Sequence, residues 1–410
     1  MNYVIIGNSA AAIGAVEGIR QVDPAGEITI ITDEPHHTYA RPLISYLLLG
    51  KVTEAGMRYR GENFYRDNRC TLLRETTVTA IDAKNKRVIL ADGQRVPYDK
   101  LLVAAGSCPF VPAFEGLDTV ENQFTFMSLD DAHGLDAALA GSPKRVLIIG
   151  AGLIGLKCAE GILERAANVT VVDLAPRILS SILDEGGAAL VQNHLEQRGV
   201  EFLLTRSVKR FAGDTAYMDD GTVLEFDVLV LAVGVRPNTG LLGGIADIER
   251  GIVINEKSET SAPDIYAAGD CTQTRDVSSG QSKIMALLPN AYMQGACAGV
   301  NMAGGEDVFD AAIPMNAIGF FGLHIITAGT YEGDVYEESA DGAYKRLFYS
   351  DNRLNGYILI GNVEKAGIYT SLIRARTPLD SIDFGLICRH PGLMAFAKKE
   401  RQAKLGGGVK

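Results

Sequence analysis

A short apolar strand that runs directly into a glycine-rich turn and then a helix occurs twice in this chain. No other feature constrains the fold as strongly. The first copy reads VIIGNSAAAIGA at residues 4–15, and the second reads LIIGAGLIGLKCAE at residues 147–160. Each is followed by another apolar strand, EITIIT at 27–32 and NVTVVD at 168–173. Strand, tight turn, helix and strand make a βαβ unit, whose strands are parallel and whose turn aims backbone N–H groups at a phosphate. Two such units predict two nucleotide-binding modules of a layered α/β fold.

The second turn carries the full pattern, Gly150, Gly152 and Gly155, and Asp173 closes the next strand 21 positions beyond Gly152. A carboxylate there accepts ribose hydroxyls and repels a 2′-phosphate, which predicts NADH rather than NADPH. The first turn is a looser copy. Gly7 makes the sharp bend, Ser9 stands in the second place and Ala12 in the third. Asp33 and Glu34, past the next strand, are the carboxylates that would accept the ribose hydroxyls of an adenosine.

Between the units, residues 76–106 read as β-rich crossing structure with turns near Lys84–Lys86 and at Asp92–Gly93. Residues 215–234 repeat that pattern as a hairpin and a buried strand. Beyond about residue 305 no nucleotide-binding turn remains, and YKRLFYSDNRLNGYILIG reads as strand, turn and strand. The basic, Gly-ended tail at 398–410 reads as frayed chain or a cloning remnant.

The net charge of −11 argues against nucleic acid as a partner, because phosphate neutralisation needs clustered Lys and Arg. No apolar run reaches membrane-span length, and MNYVIIG has no basic leader, so a cytoplasmic location is expected. Cysteines at 70, 108, 158, 271, 297 and 388 form no CxxC or CxxxxC, so neither a redox dithiol nor a metal cradle is spelled out. Scattered thiols suit a reducing compartment.

Three further segments complete a set: YDKLLVAAGSCP (98–109), FDVLVLAVGVRPN (226–238) and ETSAPDIYAAGDC (259–271), the last placing Asp270 before an expected helix that it would also N-cap. With the two turns they resemble the FAD-dependent pyridine nucleotide-disulfide oxidoreductase superfamily over residues 1 to about 305. The resemblance implies an α/β fold with two Rossmann-like domains, of the three-layer FAD/NAD(P)-binding type, and a C-terminal α+β domain. It assigns FAD to residues 1–110 and 240–305, NAD(H) to 111–239, and an interface role to 306–410. FAD contacts are implied at Gly7, Ser9, Ala11, Ala12, Asp33, Glu34, Arg41, Pro42, Val78, Ala104, Ala105, Gly106, Gly269 and Asp270. NAD contacts are implied at Gly150, Gly152, Leu153, Ile154, Gly155, Asp173, Val233 and Gly234.

Within that superfamily, HHTYARPLISYLLLG (36–50) lacks any cysteine and looks like the Tyr-x-Arg-Pro-x-x-Ser signature of the NADH:rubredoxin reductase, ferredoxin reductase and nitrite reductase flavin-domain branch. LPNAYMQGACAGVNMAGG (288–305) matches that branch's helix beside the flavin. Arg41 and Pro42 would lie near the FAD pyrophosphate and ring, unless Arg41 is only a solvated loop residue. Two positions depart from the pattern: Tyr46 stands where many relatives have Lys, and Lys157 where a Glu is common. Either Lys157 stabilises negative charge on the reduced flavin, or it forms a surface pair with Glu160 or Glu164.

The resemblance implies an FAD-dependent NAD(P)H oxidoreductase that moves electrons between NADH and an iron-sulfur protein, a rubredoxin or ferredoxin, or an iron-sulfur subunit of a larger redox complex. No cluster motif is present, so that centre would be separate. An NADH oxidase, a nitrite or quinone reductase, and a structural flavoprotein subunit remain as alternatives.

Overall fold

A computed structural model describes residues 1–340 and 342–396; the tail at 398–410 lies outside the described residues. Two compact units divide the chain. One comprises Met1–Ser181, Ala188–Thr274 and Lys283–Asp310, and the other comprises Ile182–Gly187, Arg275–Ser282 and the chain from Ala311 onward. Both nucleotide-binding modules fall within the first unit. The second unit starts five residues later than the sequence boundary and takes in two short excursions that hydrophobic patterning does not reveal.

The first module is a parallel five-stranded sheet in the order Ile265–Ala267, Lys100–Val103, Asn2–Ile6, Glu27–Ile31, Cys70–Leu73. Its near-continuous Val, Ile and Leu content is what a parallel sheet covered on both faces requires. The strand Asn2–Ile6 lies between partners that continue in opposite directions, and ligands bind beyond the carboxyl end of a strand at such a switch point. The second module repeats the plan in the order Val200–Leu204, Asn168–Asp173, Arg145–Ile149, Val228–Leu231, Gln123–Phe124. Each module also carries a small antiparallel sheet, Val78–Asp82 to Arg95–Pro97 and Val208–Ala212 to Val223–Glu225.

The first-turn helix is Ala10–Val22, and it packs on the long helix Leu288–Met302 through facing small residues. A Cβ on Gly14 or Gly18 would lie 2.2 or 2.3 Å from the carbonyl oxygens of Tyr292 and Ala296. One on Gly295 or Gly299 would lie 1.9 or 2.2 Å from those of Ala11 and Ala15. The two backbones therefore touch, and no larger side chain fits between them.

The second unit is built on an antiparallel sheet ordered Met315–Phe320, Leu323–Gly329, Arg353–Ile360, Ala343–Ser350, Asp334–Ala340. The expected hairpin is present, and Asp351 and Asn352 both take positive φ, +49° and +61°, as a tight hairpin turn demands. The helix Ala366–Arg374 covers one sheet face, with Tyr357 and Tyr369 in the core. Among the described residues no helix is long and apolar enough to cross a membrane.

Candidate functional site

Gly7 adopts φ +105° and lies so close to the neighbouring strand end that a Cβ would sit 2.2 Å from the Ala104 oxygen. Only glycine serves both needs. Ser9 N-caps the helix Ala10–Val22, but its hydroxyl makes no capping bond, which leaves the helix end open for a phosphate. Ala11 and Ala12 are buried behind it. Ala104, Ala105 and Gly106 follow the adjacent strand, with the Ala104 amide donating to the Ile6 oxygen at 2.8 Å. Gly269, at φ +85°, also approaches the turn, since a Cβ there would be 3.3 Å from that of Ala11. The fold thus brings together segments separated by hundreds of residues.

Beside Gly269, the Asp270 carboxylate accepts a bond from the Ser107 hydroxyl at 3.3 Å. Burial raises its pKa, while Ser107 and the charge of Arg41 oppose the rise. The expected helix after Asp270 is absent. The chain enters the strand Thr272–Arg275 instead, beside Ile252–Val253, and the next helix starts at Leu288. Asp270 is therefore not an N-cap: β-branched Thr272 and Thr274 favour the pleated conformation, and the neighbouring strand pairs with it.

Arg41 opens a short 3-10 turn with Pro42 behind it, and it is not a solvated loop residue. It forms an ion pair with Glu34 and donates to the Tyr39 hydroxyl at 3.2 Å and the Met127 oxygen at 3.3 Å. Tyr39 in turn donates to Glu34 at 3.0 Å and accepts from the Leu129 amide at 3.0 Å. Glu34 is thereby engaged within the protein, and Asp33 is the exposed carboxylate of the pair. Val78 begins the small sheet just past Thr76, whose amide donates to the Thr32 oxygen. The Tyr65 hydroxyl donates to Asn8 in the glycine turn at 2.7 Å and accepts from the Thr38 amide. Thr38 Oγ1 and His37 Nε2, beside this network, are buried without a hydrogen-bond partner. Buried orphan polar atoms next to an open helix end fit a polar ligand such as the adenosine diphosphate half of FAD.

The second turn has the same plan with tighter sterics. Gly150 takes φ +115°, and a Cβ on it would be 2.3 Å from the Ala232 oxygen; one on Gly155 would be 2.0 Å from the Gly150 oxygen. Gly152 is the N-cap, faces open space, and leaves the helix Leu153–Ile162 without a side-chain cap. Leu153 and Ile154 form its half-buried first turn, and Val233 and Gly234 follow the neighbouring strand Val228–Leu231. The Asp173 carboxylate accepts the amides of Ala151 at 2.6 Å and Ala175 at 2.7 Å. It stiffens its own turn, a role that strand-end spacing does not disclose. A carboxylate has about four lone-pair sites, so capacity for ribose hydroxyls remains. This cradle fits a second dinucleotide.

Lys157 settles one of its two readings in part. It does pair with Glu160, but the pair is not on the surface: the side chains are 16% and 3% exposed. Its ammonium also lies 4.4 Å from the centre of the Tyr46 ring. The two positions that depart from the flavoprotein pattern are thus in contact. Around the expected residues, Tyr39 holds Glu34 and Arg41, Tyr65 holds Asn8, Ser107 donates to Asp270, and Glu160 pairs with Lys157. The Tyr-x-Arg spacing was the available signal for Tyr39.

The six cysteines are free. Burial pushes the thiols of Cys70, Cys297 and Cys388 up to about 11 and that of Cys271 up to about 12, and it raises Cys158 further. Such thiols hold their protons and are poor nucleophiles.

Comparison with known proteins agrees with this geometry. The family model described as pyridine nucleotide-disulphide oxidoreductase matches residues 1–295, and that of the rubredoxin NAD+ reductase C-terminal domain matches residues 314–377. The chain is 32% identical to the epsilon subunit of NADH-dependent phenylglyoxylate dehydrogenase from Aromatoleum evansii, over 92% of each chain. It is 33% identical to the nitrite reductase [NAD(P)H] of Bacillus subtilis, covering 90% of this chain and 47% of that protein. Among solved structures it is similar to the covalent putidaredoxin reductase–putidaredoxin complex, with a TM-score of 0.88, 24% identity and 99% coverage of both chains.

Proposed function

The chain belongs to the pyridine nucleotide-disulphide oxidoreductase family, and from that premise we propose that it is the NADH-linked flavoprotein of an electron-transfer system whose other member is an iron-sulfur protein or subunit. It is an oxidoreductase with FAD and NAD(H) as cofactors. The observation that carries the reading is the pair of open glycine turns in one unit, in a chain whose cysteines form no CxxC or CxxxxC pair. In this reading electrons therefore pass between the flavin and a separate centre. The near full-length match to one subunit of a dehydrogenase supports residence in a larger complex.

In this reading residues 1–110 and 240–305 hold FAD, 111–239 hold NAD(H), and 306–410 serve the partner. When bound, FAD would supply an acceptor for the hydride of NADH (two electrons and a proton) and a donor of single electrons. The protein places and polarises the reactants. The open ends of Ala10–Val22 and Leu153–Ile162 bind the two pyrophosphates. Asp33 and Asp173 accept ribose hydroxyls, Asp270 bonds the polar chain of FAD, and Arg41, fixed by Glu34 and Tyr39, offsets phosphate charge. Free thiols suit a reducing cytoplasm.

An anaerobic titration of the flavin absorbance with NADH and with NADPH tests the reading, followed by transfer to a rubredoxin, a ferredoxin and oxygen. Reduction by near-stoichiometric NADH, weak reduction by NADPH, and transfer to an iron-sulfur acceptor faster than to oxygen are expected. Fast oxygen turnover alone would make it an oxidase; a flavin that NADH leaves oxidised would make it a structural subunit.

A further inference from the structure

Between Asp173 and the helix Glu185–Glu196 the chain passes from the first unit into the second. Ile178 and Leu179 of the first unit are buried, as are Ile182 and Leu183 of the second, and the exposed Ser180 and Ser181 lie between them. At its near end this loop closes on the second glycine turn. Asp173 accepts the Ala151 and Ala175 amides, and the Leu179 amide donates to the Ala151 oxygen at 2.9 Å. Leu179 takes φ +49°, a conformation that a non-glycine residue adopts only when its surroundings hold it there. At the far end, Asp184 divides its carboxylate. Oδ1 accepts the Gly187 amide at 2.9 Å in the first turn of Glu185–Glu196, and Oδ2 accepts from the Tyr344 hydroxyl at 2.9 Å and from Arg346 at 2.7 Å. The Tyr331 hydroxyl donates to the Ile182 oxygen at 2.6 Å. A helix start is capped as well by a neutral Asn or Ser, so the charge of Asp184 is used on the side of Arg346.

We propose that Asp184 is a positioning residue for the nicotinamide dinucleotide. Held by Tyr344 and Arg346, it fixes the far end of the loop whose near end carries Asp173 and meets the glycine turn, and so sets the NADH affinity of a site that it does not touch. The inference rests on the second turn being the NAD(H) site, and it adds that the second unit takes part in that binding. Asp184 stands eleven positions beyond Asp173, and four of the residues between them are buried, which leaves little slack. A loop released at one end has to be ordered again when the dinucleotide binds, and that cost is lost from the affinity.

The test is anaerobic rapid mixing of the FAD-loaded protein with NADH. The rate of flavin bleaching against NADH concentration separates the dissociation constant from the limiting rate. Arg346→Gln leaves the Gly187 cap intact and should raise the dissociation constant about fivefold, the lower end of couplings between distant parts of a protein, with a smaller change in limiting rate. Asp184→Asn keeps an acceptor for the Gly187 amide but not the charge, and it should match Arg346→Gln. The double variant should bind no more weakly than either single one, because both remove one interaction. Arg346→Lys should stay near the wild-type constant. A clasp that only stabilises the fold would lower the melting temperatures and leave the dissociation constant alone, and that result overturns the proposal. If Arg346→Gln loses FAD or fails to fold, Tyr344→Phe decides, since it removes a single hydroxyl. A rise of about threefold, the worth of one hydrogen bond, is then expected, and an unchanged constant overturns the proposal. A wild-type flavin that NADH leaves oxidised would defeat the proposed function and this inference together, whereas a wild type that NADH reduces, beside unaltered variants, defeats the inference alone.

Discussion

The two glycine turns share a plan and differ in where they tolerate atoms. In the second, the third position is closed, since a methyl on Gly155 would run into the Gly150 oxygen at 2.0 Å. In the first, Ala12 occupies that position and is fully buried. The close approach has moved along the chain, to the contact of Ala10–Val22 with Leu288–Met302. The charges differ as well. The second turn is stiffened by one carboxylate, Asp173, whereas the first is surrounded by Glu34, Arg41, Tyr39 and Asp270 in connected pairs. The more elaborate environment suits a ligand that stays, and the simpler one suits a ligand that exchanges each turnover.

The largest expected effect tests where the crowding lies. Gly295→Ala places a methyl 1.9 Å from the Ala11 oxygen, where only backbone movement can relieve it. Overpacking of this kind should cost about 3 kcal/mol and release FAD. Gly161→Ala in the second-module helix meets Ser45 at 3.1 Å and should cost under about 1 kcal/mol by the same reasoning. Urea unfolding of the two variants checks this; equal losses would erase the contrast between the modules.

Next comes the exchange of the third turn position. Gly155→Ala should cost about 2 kcal/mol and weaken NADH binding while FAD is retained. Ala12→Gly should cost about 1 kcal/mol, the helix penalty of glycine. Flavin content after gel filtration, together with NADH titration, separates the two sites. Loss of FAD from the Gly155 variant would show that the modules do not respond independently.

Much of this plan is visible in the sequence because βαβ units are local. The helix Ala10–Val22, the strand Arg145–Ile149 and the hairpin 343–360 all follow from apolar runs bounded by Gly, Asp and Asn. The parts that were missed depend on distant partners. Gly14 and Gly18 carry no sign of Gly295 and Gly299, because small residues in contact leave no hydrophobic period to read. Glu34 looked available for ribose until Arg41 and Tyr39 were placed beside it. Asp270 looked like a helix start because a small-residue turn precedes it, and only pairing with Ile252–Val253 selects the strand. The buried depth of Lys157 was equally hidden, since helical spacing names Glu160 as a partner without saying which way the pair faces.

A smaller effect separates the two roles of Asp173, as a brace for its own turn and as a partner for ribose. Asp173→Ala removes the acceptor of the Ala151 and Ala175 amides and, in the proposed function, the ribose partner. NADH affinity should fall about tenfold, or about 1.4 kcal/mol, while NADPH affinity holds or rises as the repulsion goes. Asp173→Asn keeps one acceptor and should fall between. If NADH and NADPH affinities fell together, Asp173 would be only a brace for its turn.

The smallest effect belongs to Asp270 and depends on pH. Burial raises the folded pKa of its carboxyl above the unfolded value, so the native state keeps that proton after the unfolded chain has released it. Stability of the FAD-free protein should therefore fall as pH rises from the ordinary carboxylate range through the raised value. Asp270→Asn carries no such penalty. Its apoprotein should gain on the wild type above that window and converge with it below, in melting curves taken between about pH 4 and 8. With FAD added the order should reverse if, as proposed, this carboxylate bonds the cofactor. If wild-type and Asp270→Asn apoproteins followed the same pH trend, burial of this carboxyl would not govern the stability of the first site.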